Sequence, residues 1–424
     1  MQKTIHSSIT TFLAASALLV LAACGGGGSD LSTGTITDGS VTRAAAALNL
    51  SSTGNLNAVS TGQVFAYQMI GAKGQTINAS AMLFTPRSAA PAGGWPLLVF
   101  GHGTVGWAQT CSPTSVVQAG SPWDYQNVVA GLVGRGYAVV APNYEGLGPA
   151  DLGVVAGHPY LNLDSAGKSM VYAVVAAKSV LGTQLSGNWA AIGHSQGGHA
   201  ALAAAQYSDL AAKQNASLVY KGAVAVAPAS GLLSSLNTLQ GLIAAKSQKL
   251  TDFAEGYGLV GTLNGYAALL VKGTQSTLAP VANATIFPNP RNELQNILAF
   301  LNTQCAGDVG INLRNEIANY SQSSLDAKPS AYPGVNAAAV NSASVISILN
   351  ANEPGQTKLP VKTLIVQGLE DTTVLPSITQ LLVDNMKAKG STVDYKTYAN
   401  ETHSSVLTPS ATDVGIYLAA LFAQ

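Results

Sequence analysis

Five short apolar runs set what this chain can become: Leu97–Phe100, Tyr137–Ala141, Trp189–Gly193, Ala223–Ala227 and Val361–Gln367. A strand wetted on one face alternates apolar with polar residues, whereas a strand covered on both faces reads as a continuous apolar run. These runs are of the second kind. Helical stretches separate most of them, at Tyr125–Gly134, Ser165–Leu181 and Gln196–Tyr207. Buried strands alternating with helices require crossover connections, so the expected class is α/β, with a mostly parallel central sheet and helices on both faces. Val64–Ile70 and Thr76–Phe84 read as an antiparallel pair ahead of the parallel set, with Ile77, Ala79, Ala81 and Leu83 on one face. Asp394–Tyr398 and a closing helix near Asp413–Phe422 complete the alternation.

One stretch interrupts this rhythm. Between Ser230 and about Leu359 no buried strand is expected, but helical stripes recur. Leu294, Ile297, Leu298 and Leu301 follow i, i+3, i+4, i+7 spacing, and Leu236, Leu239, Leu242 and Ile243 do much the same. The stretch is too long for a structureless loop and reads as a helical cap inserted between two core strands. The expected organisation is a leader over residues 1–23, a tether over 24–62, a core over 63–229 and 360–424, and a cap over 230–359.

The leader carries Lys3 and the apolar stretch Phe12–Ala23, too short to span a membrane as a helix. It ends in Leu21-Ala22-Ala23-Cys24, which resembles the lipobox at which bacterial lipoproteins are cleaved and lipidated on the Cys. A Gly- and Ser/Thr-rich run follows and suits a flexible tether. The expectation is an exported lipoprotein anchored through Cys24; Gly25, where an acidic residue would signal retention, points to the outer membrane. Cys111 and Cys305 then remain as an even pair in an oxidising compartment, either bridged or two buried thiols. A bridge would contribute roughly 4–5 kcal/mol in the chain-entropy model.

Gly193-His194-Ser195-Gln196-Gly197 matches the nucleophile-elbow pattern G-x-S-x-G. The pattern gains weight from its setting, because a buried strand runs into it and an Ala-rich helix leaves it. A serine hydroxyl needs a base to take its proton. In this arrangement the chain order is Ser, then acid, then His. His403 follows the last core strands, in the polar loop Asn400–Ser405. The acid is expected just after the preceding strand, where Asp371 fits better than its neighbour Glu370. Its task is to hold the His403 tautomer and stabilise the imidazolium. The oxyanion requires preorganised donors. These are expected to be the backbone N–H groups of Gln196 and of Thr104, with Gly103 as alternate, in the loop Gly101–Gly106. His102 is read as a brace for that loop, His194 and His199 as supporting residues, and His158 receives no task.

No metal site is expected, because the histidines lack ligand spacing and the cysteines are few and far apart. No phosphate-binding glycine loop follows the first strand, so no cofactor is expected. Net charge is zero and only 9% of residues are charged, against about 25% in a typical chain. Such a chain has no basic field for nucleic acid, and its expected partner is an uncharged, lipid-like or small-molecule ester.

Phe100-Gly101-His102-Gly103-Thr104, the following Cys111-Ser112-Pro113, the run Gly136–Gly148 and Gly193–Gly198 together resemble the secretory lipase family of α/β hydrolases. The similarity extends from about Val64 to the C-terminus. It implies the α/β-hydrolase fold, lipase or esterase activity without a cofactor, and a helical cap between the sixth and seventh core strands. It also implies that Cys111 is bridged to Cys305 in the cap. The lipid anchor departs from the freely secreted pattern. The leading expectation is therefore a serine carboxylic-ester hydrolase working through an acyl-enzyme. An acyltransferase, an amidase or peptidase with the same triad, and a non-catalytic surface-anchored binding module are the alternatives.

Overall fold

The structure, a computed structural model, describes residues 38–50, 57–288, 298–323 and 328–423, the side chains of 321–323 excepted. The leader 1–23, Cys24, Leu294 and Ile297 lie outside the described residues.

The described strands are β1 (Val41–Ala47), β2 (Val59–Ile70), β3 (Thr76–Pro86), β4 (Trp95–Gly101), β5 (Ala138–Pro142), β6 (Leu185–His194), β7 (Val219–Val226), β8 (Thr363–Gly368) and β9 (Val393–Tyr398). They form one open sheet in the order β1-β2-β3-β5-β4-β6-β7-β8-β9. The pairs β1/β2, β2/β3 and β3/β5 are antiparallel, and every pair from β5 to β9 is parallel.

The lack of alternation in the central runs has a direct cause. Leu97 and Val99 of β4 enter one apolar core, while Leu98 and Phe100 enter another on the opposite face. In β6, Trp189 and Ala191 divide from Ala190 and Ile192 in the same way. The helices Leu163–Leu181 and Gln196–Gln206 cover the first face. Helices Gln126–Gly134 and Leu407–Phe422 cover the second. Each large apolar side chain so enclosed stabilises the fold by about 1.5–3 kcal/mol before entropy is counted. An open, mostly parallel sheet covered on both faces is the α/β-hydrolase architecture expected from the sequence.

Two expectations need correction. The stretch read as tether through residue 62 includes β1 and the start of β2, with Val41 opposite Tyr67 and Ala47 opposite Gln63. Val-Thr-Arg-Ala-Ala-Ala-Ala has weak intrinsic strand preference, and only the exposed edge of β2 turns it into a strand. The alternation of Ile77, Ala79, Ala81 and Leu83 with more variable positions does not mark one wet face of β3. Met82 and Phe84 fill the second core on the opposite face, and Ser80 is fully buried, hydrogen-bonded to Asn143 Nδ2 at 2.9 Å.

Between β7 and β8 the described elements are helical, chiefly Leu232–Lys246, Phe253–Thr274, Ala306–Ser323 and Ala343–Ala351. Leu236, Leu239, Leu263, Leu313 and Leu349 build a third apolar core of their own. Leu301 joins it and Leu298 packs against it. The disulfide Cys111–Cys305, with Cα atoms 5.3 Å apart, ties this helical layer to the loop after β4. A backbone bridge Gly106–Cys305 and the bond from Ala306 N to Val105 O at 2.9 Å run beside it.

Candidate active site

Ser195 stands at the turn between β6 and the helix Gln196–Gln206, with φ 58° and ψ −120°. A non-glycine residue held there stores about 1–3 kcal/mol of strain, which the surroundings must enforce. Ser195 N donates to Val226 O at 2.9 Å, and Ala229 N donates to Ser195 O at 3.1 Å, so the end of β7 grips the turn. The flanking glycines are required by contact. A Cβ on Gly193 would lie 2.1 Å from Gly197 O, and one on Gly197 would lie 1.9 Å from Gly101 O. Three backbones therefore meet side by side at the elbow.

His403 and Asp371 come together at the ends of β9 and β8. His403 Nδ1 donates to Asp371 Oδ2 at 2.7 Å, which leaves Nε2 as the free base. Glu370 takes no part in that bond, and its backbone N–H instead donates to Glu401 O at 2.9 Å. Asp371 Oδ1 accepts from Thr373 N at 2.8 Å and Val374 N at 2.9 Å, and Gln367 Nε2 donates to Oδ2 at 3.0 Å. Burial opposes ionisation of this carboxyl. The His403 hydrogen bond and charge, with the two N–H groups, outweigh burial and hold it below its ordinary value. Gly368 lets the acid loop pass against the base loop, since a Cβ there would lie 2.3 Å from Glu401 O.

Ser195 and His403 line one cavity of about 490 Å³ under the helices Phe253–Thr274 and Ala306–Ser323. Among the described residues neither Ser195 Oγ nor His403 Nε2 has a hydrogen-bond partner. In unliganded hydrolases the bond between these two atoms commonly tightens only with substrate. Thr104 lines the same cavity, and Thr104, Ser195 and Gln196 line a smaller one of about 80 Å³. The backbone N–H groups of Thr104 and Gln196 have no protein acceptor among the described residues, so both are free to meet an oxyanion.

The supporting residues form a connected network. His194 Nε2–H donates to His403 O at 2.8 Å, and Tyr125 Oη donates to His194 Nδ1 at 2.9 Å. Burial pushes the His194 pKa down to about 4, keeping the ring neutral as that pairing requires. His102 Nδ1 donates to Gly103 O at 2.7 Å and Tyr144 Oη donates to His102 O at 2.9 Å, which brace the oxyanion loop. His199 Nε2 donates to Asn352 O at 2.9 Å, one helical turn after Ser195.

Several residues in this network, Tyr144 among them, carry no task in the sequence reading. His158 Nδ1 donates to Glu145 O at 2.8 Å, so its Nε2 is an acceptor, and Gln196 Nε2 donates to it at 2.7 Å. Burial takes the His158 pKa down to about 3, fixing this neutral tautomer. Tyr160 Oη accepts from Gly106 N at 3.0 Å and donates to Gly106 O at 2.6 Å, clamping the loop that carries Thr104. Gln367 orients the acid, and Tyr125 orients His194. The only sequence signal for His158 and Tyr160 is the cluster Gly157-His158-Pro159-Tyr160 in the connection after β5.

Among the described residues no group of three or more His, Cys, Asp or Glu side chains is placed to hold a metal ion. None of the described helices is long and apolar enough to cross a membrane.

Residues 319–419, which include Asp371 and His403, match the model of the prolyl oligopeptidase family, Peptidase_S9. No curated protein is similar to this chain in sequence. Among solved structures, the rice cell wall degrading esterase LipA from Xanthomonas oryzae is similar at 19% identity and a TM-score of 0.63, over 90% of this chain and 97% of its own. Candida antarctica lipase A in its closed state is similar at 17% identity and a TM-score of 0.64, over 91% of this chain and 85% of its own. At these identities the likeness carries the fold, which is that of the α/β hydrolases.

Proposed function

We propose that the chain is a serine carboxylic-ester hydrolase of the α/β-hydrolase type. One observation carries the reading: Ser195, strained on its elbow, opens on the same cavity as a His403 oriented by Asp371. Ser195 Oγ attacks the ester carbonyl carbon as His403 Nε2 takes its proton. The Thr104 and Gln196 N–H groups hold the oxyanion. The tetrahedral intermediate collapses, the C–O bond to the alcohol breaks, and His403 returns the proton to the departing oxygen. Water, activated by the same imidazole, then cleaves the acyl-Ser195 ester and releases the acid.

Esters are favoured over amides by the apolar cap and by the esterase and lipase folds it resembles. The prolyl oligopeptidase likeness spans the acid and base segment without Ser195, and makes an amide-cleaving enzyme the second reading. The finer kinship, to secretory lipases, rests on the motifs around Thr104 and Ser195. Export and anchoring through Cys24 rest on the leader sequence and would place the enzyme at a membrane surface.

The test is release of p-nitrophenol from acyl esters by wild type and by Ser195→Ala, with a proline p-nitroanilide run alongside. Ester turnover by wild type, and a loss of about 10⁴-fold or more in the variant, is expected. An equally active variant removes Ser195 from the mechanism, and cleavage of the anilide alone replaces esterase with amidase.

A further inference from the structure

Two cavities meet at Ser195, and they differ in shape and chemistry. The larger, about 490 Å³, is lined by His403, Ser404, His194 and Tyr125 on the core side, with the exposed charges Asp124 and Arg314 among its lining residues. Its cap wall carries Gly258, Gly261 and Gly265 on the helix Phe253–Thr274 and Gly310 on Ala306–Ser323, set among the larger Leu301, Val309 and Leu313. The smaller, about 80 Å³, is lined by Gln196 and by Leu232, Leu236, Leu239, Leu270 and Val374. Thr104, Ser195, Tyr266 and Leu269 line both and divide them.

The placement of His403 decides which half of an ester enters which cavity. During acylation the departing alcohol oxygen must receive its proton from His403 Nε2, so the alcohol lies on the His403 side. His403 lines the larger cavity and not the smaller. The acyl carbon chain must leave the carbonyl on the other side, next to the oxyanion donor Gln196, which lines the smaller cavity and not the larger. Resting on the esterase reading above, we infer that the substrate is an ester of a short apolar acid with a bulky, partly polar alcohol. The smaller cavity has about one-sixth the space of the larger, so it takes a short acyl tail. Leu232, Leu236 and Leu239 form its apolar wall. The glycines in the wall opposite leave room for an alcohol with a ring or several branches, and Thr262, Asp124 and Arg314 offer it hydrogen-bonding partners.

Two substrate series test this. The first fixes the alcohol as p-nitrophenol and runs the acid from acetate to palmitate. The second fixes butyrate and compares methyl with naphthyl and glycosyl alcohols. Wild type is expected to peak at butyrate to hexanoate and to fall at least about tenfold in kcat/KM by decanoate, as overfilled apolar pockets do. Leu236→Ala is expected to move that peak to longer acids. Gly258 lines the larger cavity and a Cβ there meets nothing within 4 Å, so Gly258→Phe adds a ring at the rim of that cavity. It is expected to lower the ratio of naphthyl to methyl butyrate turnover by about tenfold or more. Gly258 lies on an exposed stretch of helix, so this variant is read independently of whether Leu236→Ala folds. A wild-type rate that rises through decanoate overturns the inference, as does a Gly258→Phe effect that follows acyl length and not alcohol size. No turnover of any ester, with Ser195 still labelled by a fluorophosphonate, rejects the esterase reading itself and the inference with it.

Discussion

The disulfide Cys111–Cys305 closes a separation of 194 residues and ends beside the oxyanion loop, so its removal has two calculable consequences. In the chain-entropy model a loop of that length removes about 18 cal/mol/K from the unfolded chain, or about 5 kcal/mol at 25 °C, and loss of native bridges typically costs about 2–5 kcal/mol. An unfolding entropy near 2.1 cal/mol/K per residue, taken over 424 residues, is about 0.9 kcal/mol/K. The double variant Cys111→Ser/Cys305→Ser should therefore melt about 2–6 °C below wild type. Activity should fall as well. With the covalent tie gone, the loop carrying Thr104 is held by hydrogen bonds alone: Ala306–Val105, the Tyr160 clamp on Gly106, and the His102 and Tyr144 braces. Full loss of one oxyanion donor costs about 10²–10³ in kcat, so partial loosening should cost about tenfold. Scanning calorimetry of both proteins, with kcat and KM on one short ester, reads the two effects separately. A melting temperature within about 1 °C of wild type would show that the loop-entropy reasoning does not apply to this chain. A lowered melting temperature with unchanged kcat would show that the bridge does not position Thr104.

Two further perturbations follow. His158→Ala strands Gln196 Nε2 and Glu145 O, and should lower kcat about tenfold with KM little changed, while His158→Asn, which restores an acceptor, should recover part of the loss; an Ala variant with wild-type kcat refutes the positioning role. The buried histidines His102, His194 and His199, held near pKa 4, and His158, near 3, should make the fold acid-sensitive. Their folded pKa values lie below the unfolded value near 6.5, so the unfolded chain binds more protons between pH 6.5 and about 4, and stability is lost as pH falls through that window. Four such sites correspond to about 6 °C of melting temperature per pH unit, and a melting temperature flat from pH 7 to pH 4.5 would sink that account.

Much of this organisation was legible in the sequence because it rests on local chemistry. A central strand cannot alternate when two cores cover it, so Leu97–Phe100 and Trp189–Gly193 identify themselves. The elbow is legible at Ser195 because the close approach of three backbones excludes side chains at Gly193 and Gly197. Chain order and strand position point to His403 and favour Asp371, with Glu370 beside it still open. β1 was not legible, since its Ala-rich segment has no strand signal until β2 offers an unpaired edge. His158, Tyr160 and Gln367 were not legible either, because a lone polar residue in a loop acquires a role only from what lies across the fold.

By itself, then, the sequence determined an α/β sheet, the turn carrying Ser195 and the placement of the Glu370–Asp371 pair and His403 after it. These follow from burial periodicity and backbone sterics, which act over a few residues. The tertiary structure alone decided that Asp371 and not Glu370 reaches His403, that Cys305 reaches Cys111, and that two unequal cavities part at Ser195. Those outcomes depend on how separate elements pack, and packing is a property of the whole chain that no short segment encodes.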